Sequence, residues 1–598
     1  MNKAHTFHIP VMGIGFTIDT PIKVAHLGID SVIFISDDIL LEKMRRMYSE
    51  RYGLVYKSIS DKSHDYRAKR VTAYLDLIHE LVKLKFNRIK NFTGDNFNEV
   101  DKYFQLLPNS SDLKLSFQQM VDQNVSPKKI SQWLSENLYM GSIDVNIMTK
   151  LDRENYKKKE KLSAEFNDAH AALRGYAKST LSSSIVFSAG MNPRLFGYAE
   201  QFDDFYPNEK GEIRKKIVLK VSDYRSALIQ GKFLAKKGLW VSEYRIESGL
   251  NCGGHAFATE GFLMGPILEQ FKEKKEELIK SVQEVLVSAL EGKNKTIPKG
   301  NLNLKVTAQG GVGTAEEHQF LLSHYEVDSV GWGTPFLLVP EATSVDEGTM
   351  NKLMSAKEKD LYLSHISPLG VPFNNLRGNT KDIEKLNFIA KGRPGSACPK
   401  KFLALVKNGE EEPICRASRQ FQHLKLKELD SMDLTIEEHK KRYQQIVEPS
   451  CLCVGLGTSA LIVNDIDRKV EGDAVLICPG PNMAYFSKKL TLNEMTNHIY
   501  GRQNVIDRLD RPNMFIKELV LYIDYLKKKI ETFGDEISPK DQKYVANFSN
   551  NLKEGIQYYM SLFGKSENMD KERQKLIIRA FEECRIRLNS LEFLTLAS

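Results

Sequence analysis

The sequence predicts an α/β protein: a (β/α)8 TIM barrel with a helical insertion and an additional α-rich C-terminal domain. Three observations support this prediction. Short apolar segments alternate with helix-like segments in the first half of the chain, which is the pattern of parallel α/β folds. Glycine-rich loops follow several of the apolar segments, at the position where barrels carry their functional loops. The alternation ends near residue 335, so the remainder forms a separate part.

The barrel strands are predicted from short apolar runs that end in glycine or proline signals. Seven such runs begin near residues 8, 31, 184, 217, 239, 304 and 327. An eighth strand could lie at Phe196–Phe202. Eight parallel strands that alternate with helices are the number that closes this kind of barrel.

The barrel is predicted to be interrupted along the chain. Residues 1–36 and 181–345 are assigned to it, and residues 37–180 to a helical insertion, because apolar residues recur there at three- and four-residue spacing. Residues 346–500 are predicted to be a loop-rich, cysteine-containing domain, and residues 501–598 a helical C-terminal appendage.

Composition excludes several classes of protein. The 598 residues are 41% hydrophobic and 27% charged, and the net charge is +8. These values are ordinary for a globular enzyme and exclude a disordered or fibrous chain. The basic runs are short and lie near acids, so no nucleic-acid partner is expected. We also expect no membrane partner, because no run of about 18 uncharged apolar residues occurs.

The location is predicted to be cytoplasmic. The amino terminus has no apolar signal segment. The seven cysteines are odd in number and sparse, which argues against a disulfide framework.

The first candidate site is the segment Glu247 to His255, which follows a predicted strand. Its paired glycines, Gly253 and Gly254, let the backbone approach a flat ligand closely. His255 is placed to exchange a proton with a substrate. A tight turn with a packed histidine is the structural alternative.

Two further glycine loops follow the last two predicted strands. The first contains Gly310 and Gly311, and the second contains Gly331, Gly333 and Thr334. Backbone N–H groups in such turns bind phosphate, and the loops after strands seven and eight of a barrel form a joint phosphate site. Two glycine loops in succession favour phosphate binding over ordinary turns.

The order of these motifs resembles a known family. A Pro-x-Met-Gly-like first strand end, Gly-Gly-His, Ala-x-Gly-Gly-Val and Gly-x-Gly-Thr are similar to the FMN-dependent nitronate monooxygenases, also called 2-nitropropane dioxygenases. They are similar as well to the related flavin-dependent enoyl-acyl-carrier-protein reductases and, more distantly, to the FMN domain of glutamate synthase. The resemblance covers residues 8–36 and 183–342.

The resemblance implies FMN at the carboxyl face of the barrel. Gly310, Gly311, Gly331, Gly333 and Thr334 would surround its phosphate. Met12 and Gly13 would lie against the ring, beside Gly253 and Gly254. Lys220 would stabilise negative charge at the N1–C2 carbonyl edge of the reduced flavin, unless it is only an exposed lysine at a strand end. His255 matches the family's active-site histidine and would act as acid or base beside flavin N5.

The chain departs from the family around its histidine. Cys252 stands where alanine usually precedes Gly-Gly-His, Asn251 replaces a frequent acid, and the segment is one residue longer than usual. These changes bear on the substrate, while the phosphate motifs are intact.

Four cysteines, Cys398, Cys415, Cys451 and Cys453, form the last candidate site. Four thiolates complete one iron–sulfur cluster, and Cys-Pro, as at Cys398, is frequent among cluster ligands. The spacings match no known motif, so an iron–sulfur cluster, structural zinc and unligated thiols all stay open.

The sequence thus predicts an FMN-dependent oxidoreductase, fed by an iron–sulfur cluster if the cysteines hold one. The expected partners are a small-molecule or acyl-thioester substrate and an electron-donor protein. The alternative is a non-catalytic barrel scaffold that binds a partner protein.

Overall fold

The computed structural model describes residues 4–596, except residues 159, 189, 408–411, 534–536 and 566–569. Its strands are β1 Phe7–Ile9, β2 Asp30–Phe34, β3 Ile143–Met148, β4 Tyr156–Lys157, β5 Glu160–Lys161, β6 Ser183–Ser188, β7 Lys215–Val221, β8 Val241–Glu247, β9 Lys305–Gln309, β10 Ser329–Gly331, β11 Leu361–Ser364 and β12 Phe373–Leu376.

The helices of the first half, up to residue 323, are α1 Thr20–Val24, α2 Asp38–Arg51, α3 Tyr66–Lys90, α4 Phe97–Leu106, α5 Asp112–Asp122, α6 Pro127–Asn137, α7 Asp168–Lys178, α8 Pro193–Tyr198, α9 Tyr224–Ala235, α10 Met264–Glu273, α11 Lys275–Gly292 and α12 Ala315–Ser323. Those of the second half are α13 Glu347–Ser355, α14 Thr380–Ala390, α15 Arg419–Asp430, α16 Ile436–Val447, α17 Leu452–Val463, α18 Leu492–Ile499, α19 Met514–Glu531, α20 Pro539–Gly564 and α21 Lys571–Leu596.

Eight parallel strands close into a barrel, as the sequence predicts. Their order around the barrel is β1-β10-β9-β8-β7-β6-β3-β2, and β1 closes it by pairing with both β10 and β2. Helices follow the strands and form the outer layer. The fold class is therefore a (β/α)8 barrel with additional helices and a helical C-terminal region.

The eighth strand is not where the sequence analysis placed it. Residues 193–198 form helix α8, because Asn192 accepts a hydrogen bond from the Leu195 N–H and a proline follows at the first helical position. The missing strand is β3, which pairs with β2 and β6. The predicted insertion over 37–180 is accordingly too long, since it includes this barrel strand and the helix α7 after it.

Strand β3 was missed because its polar residues face the barrel interior rather than water. Successive side chains of a strand point to opposite faces. Ile143, Val145 and Ile147 belong to the main hydrophobic core, whereas Asp144 and Asn146 are buried polar residues. A strand with this pattern resembles an amphipathic surface segment in the sequence.

The interior of the barrel is layered. Val32, Val186 and Val218 form a small apolar cluster of their own, separate from the main core. Next to this cluster, Glu243 of β8 is in register with Val218 of β7. Arg245 pairs with Glu243 at 2.7 Å, and the Thr307 hydroxyl donates to the same carboxylate at 2.6 Å. These inward positions are therefore occupied by packed valines and by a buried ion pair.

The C-terminal helices are continuous with the barrel core. Met514, Phe515 and Leu519 of α19 lie in the same hydrophobic cluster as the barrel strands. The predicted 501–598 appendage therefore packs directly on the barrel.

Among the described helices, no single one is long and apolar enough to cross a membrane. Helices α16 and α17 reach that length and composition only as a pair, bent by 45°.

Candidate functional site

A cavity of about 450 Å³ opens at the carboxyl ends of the barrel strands, within the size range of small-molecule sites. Its floor consists of inward-facing residues one step above the filled layers, at the ends of strands β3, β6, β7, β8 and β9. These residues are Asn146, Met148, Ser188, Lys220, Glu247 and Gln309. Side chains alternate between the inside and the outside of the barrel along each strand. The inward side chains near the carboxyl ends of the strands therefore border the cavity with polar groups.

The structure brings all the residues predicted for FMN and for proton transfer to this one cavity. Its lining includes Met12, Gly13, Lys220, Gly253, Gly254, His255, Gly310, Gly311, Gly331, Gly333 and Thr334. Of the four cysteines predicted to bind metal, only Cys453 borders it. The structure thus brings together residues as far apart in sequence as Met12 and Thr334, as a ligand site requires.

The two glycine loops present free backbone donors. Gly310 and Gly311 have φ angles of +118° and +79°, which favour glycine. Within the described part of the chain, the N–H groups of Gly311, Val312 and Gly333 donate to no protein acceptor. The loops after β9 and β10 therefore leave unpaired N–H groups beside one cavity, the arrangement that binds anions.

The ion pair between Glu317 and Arg511 supports the loop that contains Gly310 and Gly311. Glu317, in the first turn of α12, accepts from the Gly313 N–H at 2.9 Å. It also pairs with the buried Arg511, whose guanidinium donates to the Gly311 carbonyl at 2.8 Å. The N-terminus of α12 is already capped by the Thr314 hydroxyl, which accepts from the Glu317 N–H, and the Glu317 carboxylate adds negative charge beside it. An anion would therefore meet the loop N–H groups rather than the helix end.

Asn251 and Cys252, where the chain departs from the resembled family, support the same loop. Asn251 donates to the Met514 carbonyl at 3.2 Å, and a Cβ on Gly311 would come within 2.0 Å of its amide nitrogen. A Cβ on Gly310 would come within 2.7 Å of the Cys252 sulfur. Both residues therefore require glycine in the loop above them.

Lys220 does not stand alone in the cavity. Its ammonium lies 2.5 Å from Glu247, and Gln309 donates its amide to the other oxygen of that carboxylate at 2.6 Å. The Gln309 amide oxygen is buried and has no hydrogen-bond partner among the described residues. The sequence analysis included Glu247 and Gln309 in its candidate segments but gave neither a role. Their position two residues beyond Arg245 and Thr307 was the signal that could have identified them.

His255 lies at the wall of the cavity. Its Nε2 is 2.8 Å from the Ser367 hydroxyl, and its ring packs edge-on against Phe373. Burial lowers the pKa of His255 to about 4, so the imidazole is neutral at neutral pH. It can donate or accept one hydrogen bond there without carrying a charge.

A strap of residues 478–482 contacts the Gly-Gly-His segment and both glycine loops. The Gly254 N–H donates to the Cys478 carbonyl, the Gly480 N–H to the Thr334 hydroxyl, and the Asn482 amide to the Val312 carbonyl. The strap encloses the cavity from the C-terminal side. Nothing in its local sequence indicated this role.

Glu518 of α19 also reaches the site from the C-terminal region. Ser248, at the end of β8, donates to its carboxylate at 2.5 Å, and the Met264 N–H donates at 3.1 Å. Complete burial raises the pKa of Glu518 to about 7. The loop that carries the Gly-Gly-His motif is therefore anchored to the C-terminal helices.

Cys453 borders the cavity, whereas Cys398, Cys415 and Cys451 lie outside its lining, and all four are buried free thiols. Among the described residues, no group of three or more His, Cys, Asp or Glu side chains is set at metal-binding geometry. The structure as it stands does not support the predicted iron–sulfur cluster.

Comparisons with known proteins show no family and find only weak structural likenesses. No family model matches the chain, and no curated protein matches it significantly. FabK from Thermotoga maritima matches structurally at 12% identity and a TM-score of 0.34, over 83% of this chain and 94% of that one. The enoyl reductase domain of MlnA, from the macrolactin cluster of Bacillus amyloliquefaciens, matches at 12% and 0.32, over 71% and 89%. These comparisons do not show the nitronate monooxygenase family, and likenesses this low carry no argument about the fold or the site.

Proposed function

We propose that the protein is an FMN-dependent oxidoreductase. The observation that supports this most directly is the set of unpaired N–H groups of Gly311, Val312 and Gly333 beside one cavity. They suit the phosphate of a flavin nucleotide. The unpaired Gln309 amide oxygen suits a ring N–H donor such as the flavin carries. The residues present therefore fit the cofactor.

FMN would supply hydride or single-electron transfer at its N5 atom. The chain's own residues would bind and orient. Lys220, held by Glu247, would place a cation at the edge of the cavity floor where negative charge develops. Met12 and the Gly253–Gly254 backbone would offer flat surfaces on either side of a planar ring.

His255 would orient the substrate and move one proton. Because its pKa lies near 4, it acts from the neutral form, as a hydrogen-bond donor or as a base, across the physiological pH range. The Ser367 hydroxyl fixes the ring orientation. A rate profile without an inflection near pH 6.5 is the expected consequence for this group.

The substrate is proposed to be a carbon chain with an activated C=C bond, reduced by an external electron donor. Part of the cavity lining is apolar and includes Phe373, Phe402, Leu403, Leu452 and Ile477. An apolar wall suits a carbon chain better than a small polar nitronate. Oxidative denitrification of a nitronate is the other reaction that this site chemistry allows.

The first experiment measures flavin. We expect protein purified without oxygen to carry FMN, or to bind it when it is added, with the two visible flavin absorption bands. The His255→Ala variant should keep FMN and lose turnover. Protein that neither contains nor binds FMN would overturn the proposal and leave the scaffold alternative.

The second experiment separates the two reactions. Anaerobically reduced protein is mixed with an enone or an enoyl thioester, and flavin reoxidation is followed. In parallel, oxygen uptake is recorded with a nitronate. Reoxidation by the enoyl compound without nitronate-dependent oxygen uptake supports the reductase, and the reverse pattern selects the monooxygenase.

A further inference from the structure

The segment of residues 366–374 is bound to the Gly-Gly-His motif by main-chain hydrogen bonds. The Asn374 N–H donates to the Gly254 carbonyl at 2.9 Å. His255 and Phe373 form an antiparallel bridge beside this bond, and the flanking residues on the other side make a second main-chain bond of 2.9 Å. The segment therefore has a fixed position relative to the histidine ring.

Ser367 lies in this segment and contacts the ring of His255. Its hydroxyl oxygen is 2.8 Å from Nε2 of His255, and it accepts a hydrogen bond from the Leu369 N–H at 3.3 Å. The Ser367 carbonyl accepts from the Gly370 N–H, which closes a turn over residues 367–370. Ser367 is 1% exposed. A buried hydroxyl that its own turn holds in place thus faces one nitrogen of the ring.

The proton of the Ser367 hydroxyl has one acceptor within reach. A serine hydroxyl has one proton to donate and two lone pairs. One lone pair accepts from the Leu369 N–H, and among the described residues Nε2 of His255 is the only other hydrogen-bond partner of this oxygen. If Nε2 carried a proton, the buried serine proton would have no acceptor, which folded proteins avoid. Ser367 therefore donates to Nε2, and Nε2 is the unprotonated nitrogen of the ring.

The one proton of the neutral imidazole consequently lies on Nδ1. Burial lowers the pKa of His255 to about 4, so the ring does not carry a second proton at neutral pH. In the described part of the chain, Nδ1 has no hydrogen-bond partner, yet it is not a buried atom. The ring borders the cavity. The Nδ1–H group is therefore a free donor at the cavity wall.

We propose that Ser367 is a positioning residue, whose hydroxyl holds His255 with Nδ1–H available to the carbonyl oxygen of an α,β-unsaturated substrate. The part of this inference that concerns the substrate rests on the proposed function. A hydride from the reduced cofactor adds to the β-carbon, and the electrons of the C=C and C=O bonds shift so that the carbonyl oxygen becomes negative. The Nδ1–H group stabilises that oxygen. The α-carbon then takes one proton, which passes through Nδ1 and is replaced from water.

This assignment selects between the two roles that a neutral His255 could have. A base needs an unprotonated nitrogen at the cavity, whereas the unprotonated nitrogen of this ring is bound to Ser367. The ring is thus unsuited to removing a proton from a neutral nitro compound, and suited to donating to an oxygen that gains charge. The geometry therefore favours reduction of a C=C bond that is conjugated to a carbonyl group.

The tautomer is tested directly by ¹⁵N NMR of the full-length protein with labelled histidine. Protonated and unprotonated nitrogens of a neutral imidazole have well-separated ¹⁵N shifts, and the His255 signals are assigned by comparison with His255→Gln. We expect a protonated Nδ1 and an unprotonated Nε2 at neutral pH. Ser367→Ala should lose this preference and show both tautomers. Ser364→Ala removes a buried hydroxyl that contacts the Phe373 carbonyl rather than the ring, and as the control it should keep the wild-type pattern.

A single turnover gives the second readout. Anaerobically reduced protein is mixed with crotonyl-N-acetylcysteamine, a small enoyl thioester, and flavin reoxidation is followed. Ser367→Ala should lower the maximal rate about tenfold, while the half-saturating thioester concentration and the FMN content stay near wild type, because the lost interaction acts in the transition state. Ser364→Ala should react as wild type does. Circular dichroism of each variant checks that it is folded.

The two readouts separate this inference from the proposed function. A protonated Nε2 in the wild-type protein overturns the inference, whether or not FMN is bound. So does a Ser367→Ala variant with wild-type tautomer and wild-type rate, and a changed tautomer with a wild-type rate overturns the role toward the substrate. A protonated Nδ1 in protein that binds no FMN supports the effect of Ser367 on the ring while overturning the proposed function.

Discussion

Two adjacent levels of the same barrel differ in how they treat charge. In the lower level, Arg245, Glu243 and Thr307 satisfy one another in a filled interior. In the upper level, Lys220, Glu247 and Gln309 occupy the next inward positions of the same or neighbouring strands, but they border a cavity. The same pattern of inward residues therefore produces a buried layer around Arg245, called here the sealed layer, and a layer around Lys220 that borders the cavity, called here the reactive layer. Their difference lies in what covers them, which is set by loops and by the C-terminal region.

The largest expected effect is on the sealed layer. Arg245→Met removes the cation that pairs with the buried Glu243 carboxylate, so the free energy of unfolding should fall by about 3–5 kcal/mol. Denaturant unfolding measures it, and FMN affinity of the folded fraction should stay near wild type. A loss below about 1 kcal/mol would show that the lower level is not sealed.

The second-largest effect concerns Glu518, the buried carboxylate through which the C-terminal helix α19 holds Ser248 beside the cavity. The pKa of Glu518 is raised from 4.5 to about 7 in the folded protein. The folded state therefore holds the proton more tightly, and this contribution to stability is complete below pH 4.5 and is lost as the pH rises through 7. The loss amounts to about 3 kcal/mol.

Glu518→Gln should remove that part of the pH dependence. Unfolding free energies are compared at pH 5 and pH 8. Glu531→Gln, an exposed change on the same helix, is the control and should follow wild type. An unchanged difference between the two pH values in Glu518→Gln would mean that water reaches this carboxylate.

A third change distorts the loop after β9, which carries the free N–H groups of Gly311 and Val312. Gly311→Ala introduces a methyl group within 2.0 Å of Asn251 at a left-handed φ, so the loop must move. FMN affinity should fall about 100-fold, or about 2.7 kcal/mol. Gly53→Ala has a similar φ of +65° and nothing within 4 Å, and should bind FMN as wild type does. Equal affinity of both variants would place the phosphate elsewhere.

The smallest effect comes from Lys220, which is the register partner of Arg245 on the neighbouring strand but borders the cavity. Lys220→Met removes an inward cation on β7, as Arg245→Met does on β8. Because Lys220 is partly exposed, stability should change by less than about 1 kcal/mol. FMN affinity should fall about tenfold, or about 1.4 kcal/mol. A stability loss as large as that of Arg245→Met would contradict the division into two levels.

The barrel was predictable because its signals are local. Seven strands show short apolar runs, and the glycines at 310, 311 and 333 stand directly after strands. Strand β3 and the helix at 193–198 were not predicted correctly. In β3, Asp144 and Asn146 are buried inside the barrel, and local hydropathy cannot distinguish an inward polar residue from a solvent-exposed one.

The sequence by itself determined the barrel, the loops with free N–H groups and the set of residues around the cavity, because strand periodicity and glycine conformation depend on near neighbours. Only the tertiary structure decided that Arg511, Glu518 and the strap over 478–482 hold those loops, and that Glu247 pairs with Lys220. Ser248 and Glu518 are 270 positions apart. Contacts across such separations form only when the whole core packs, so no local pattern in the sequence records them.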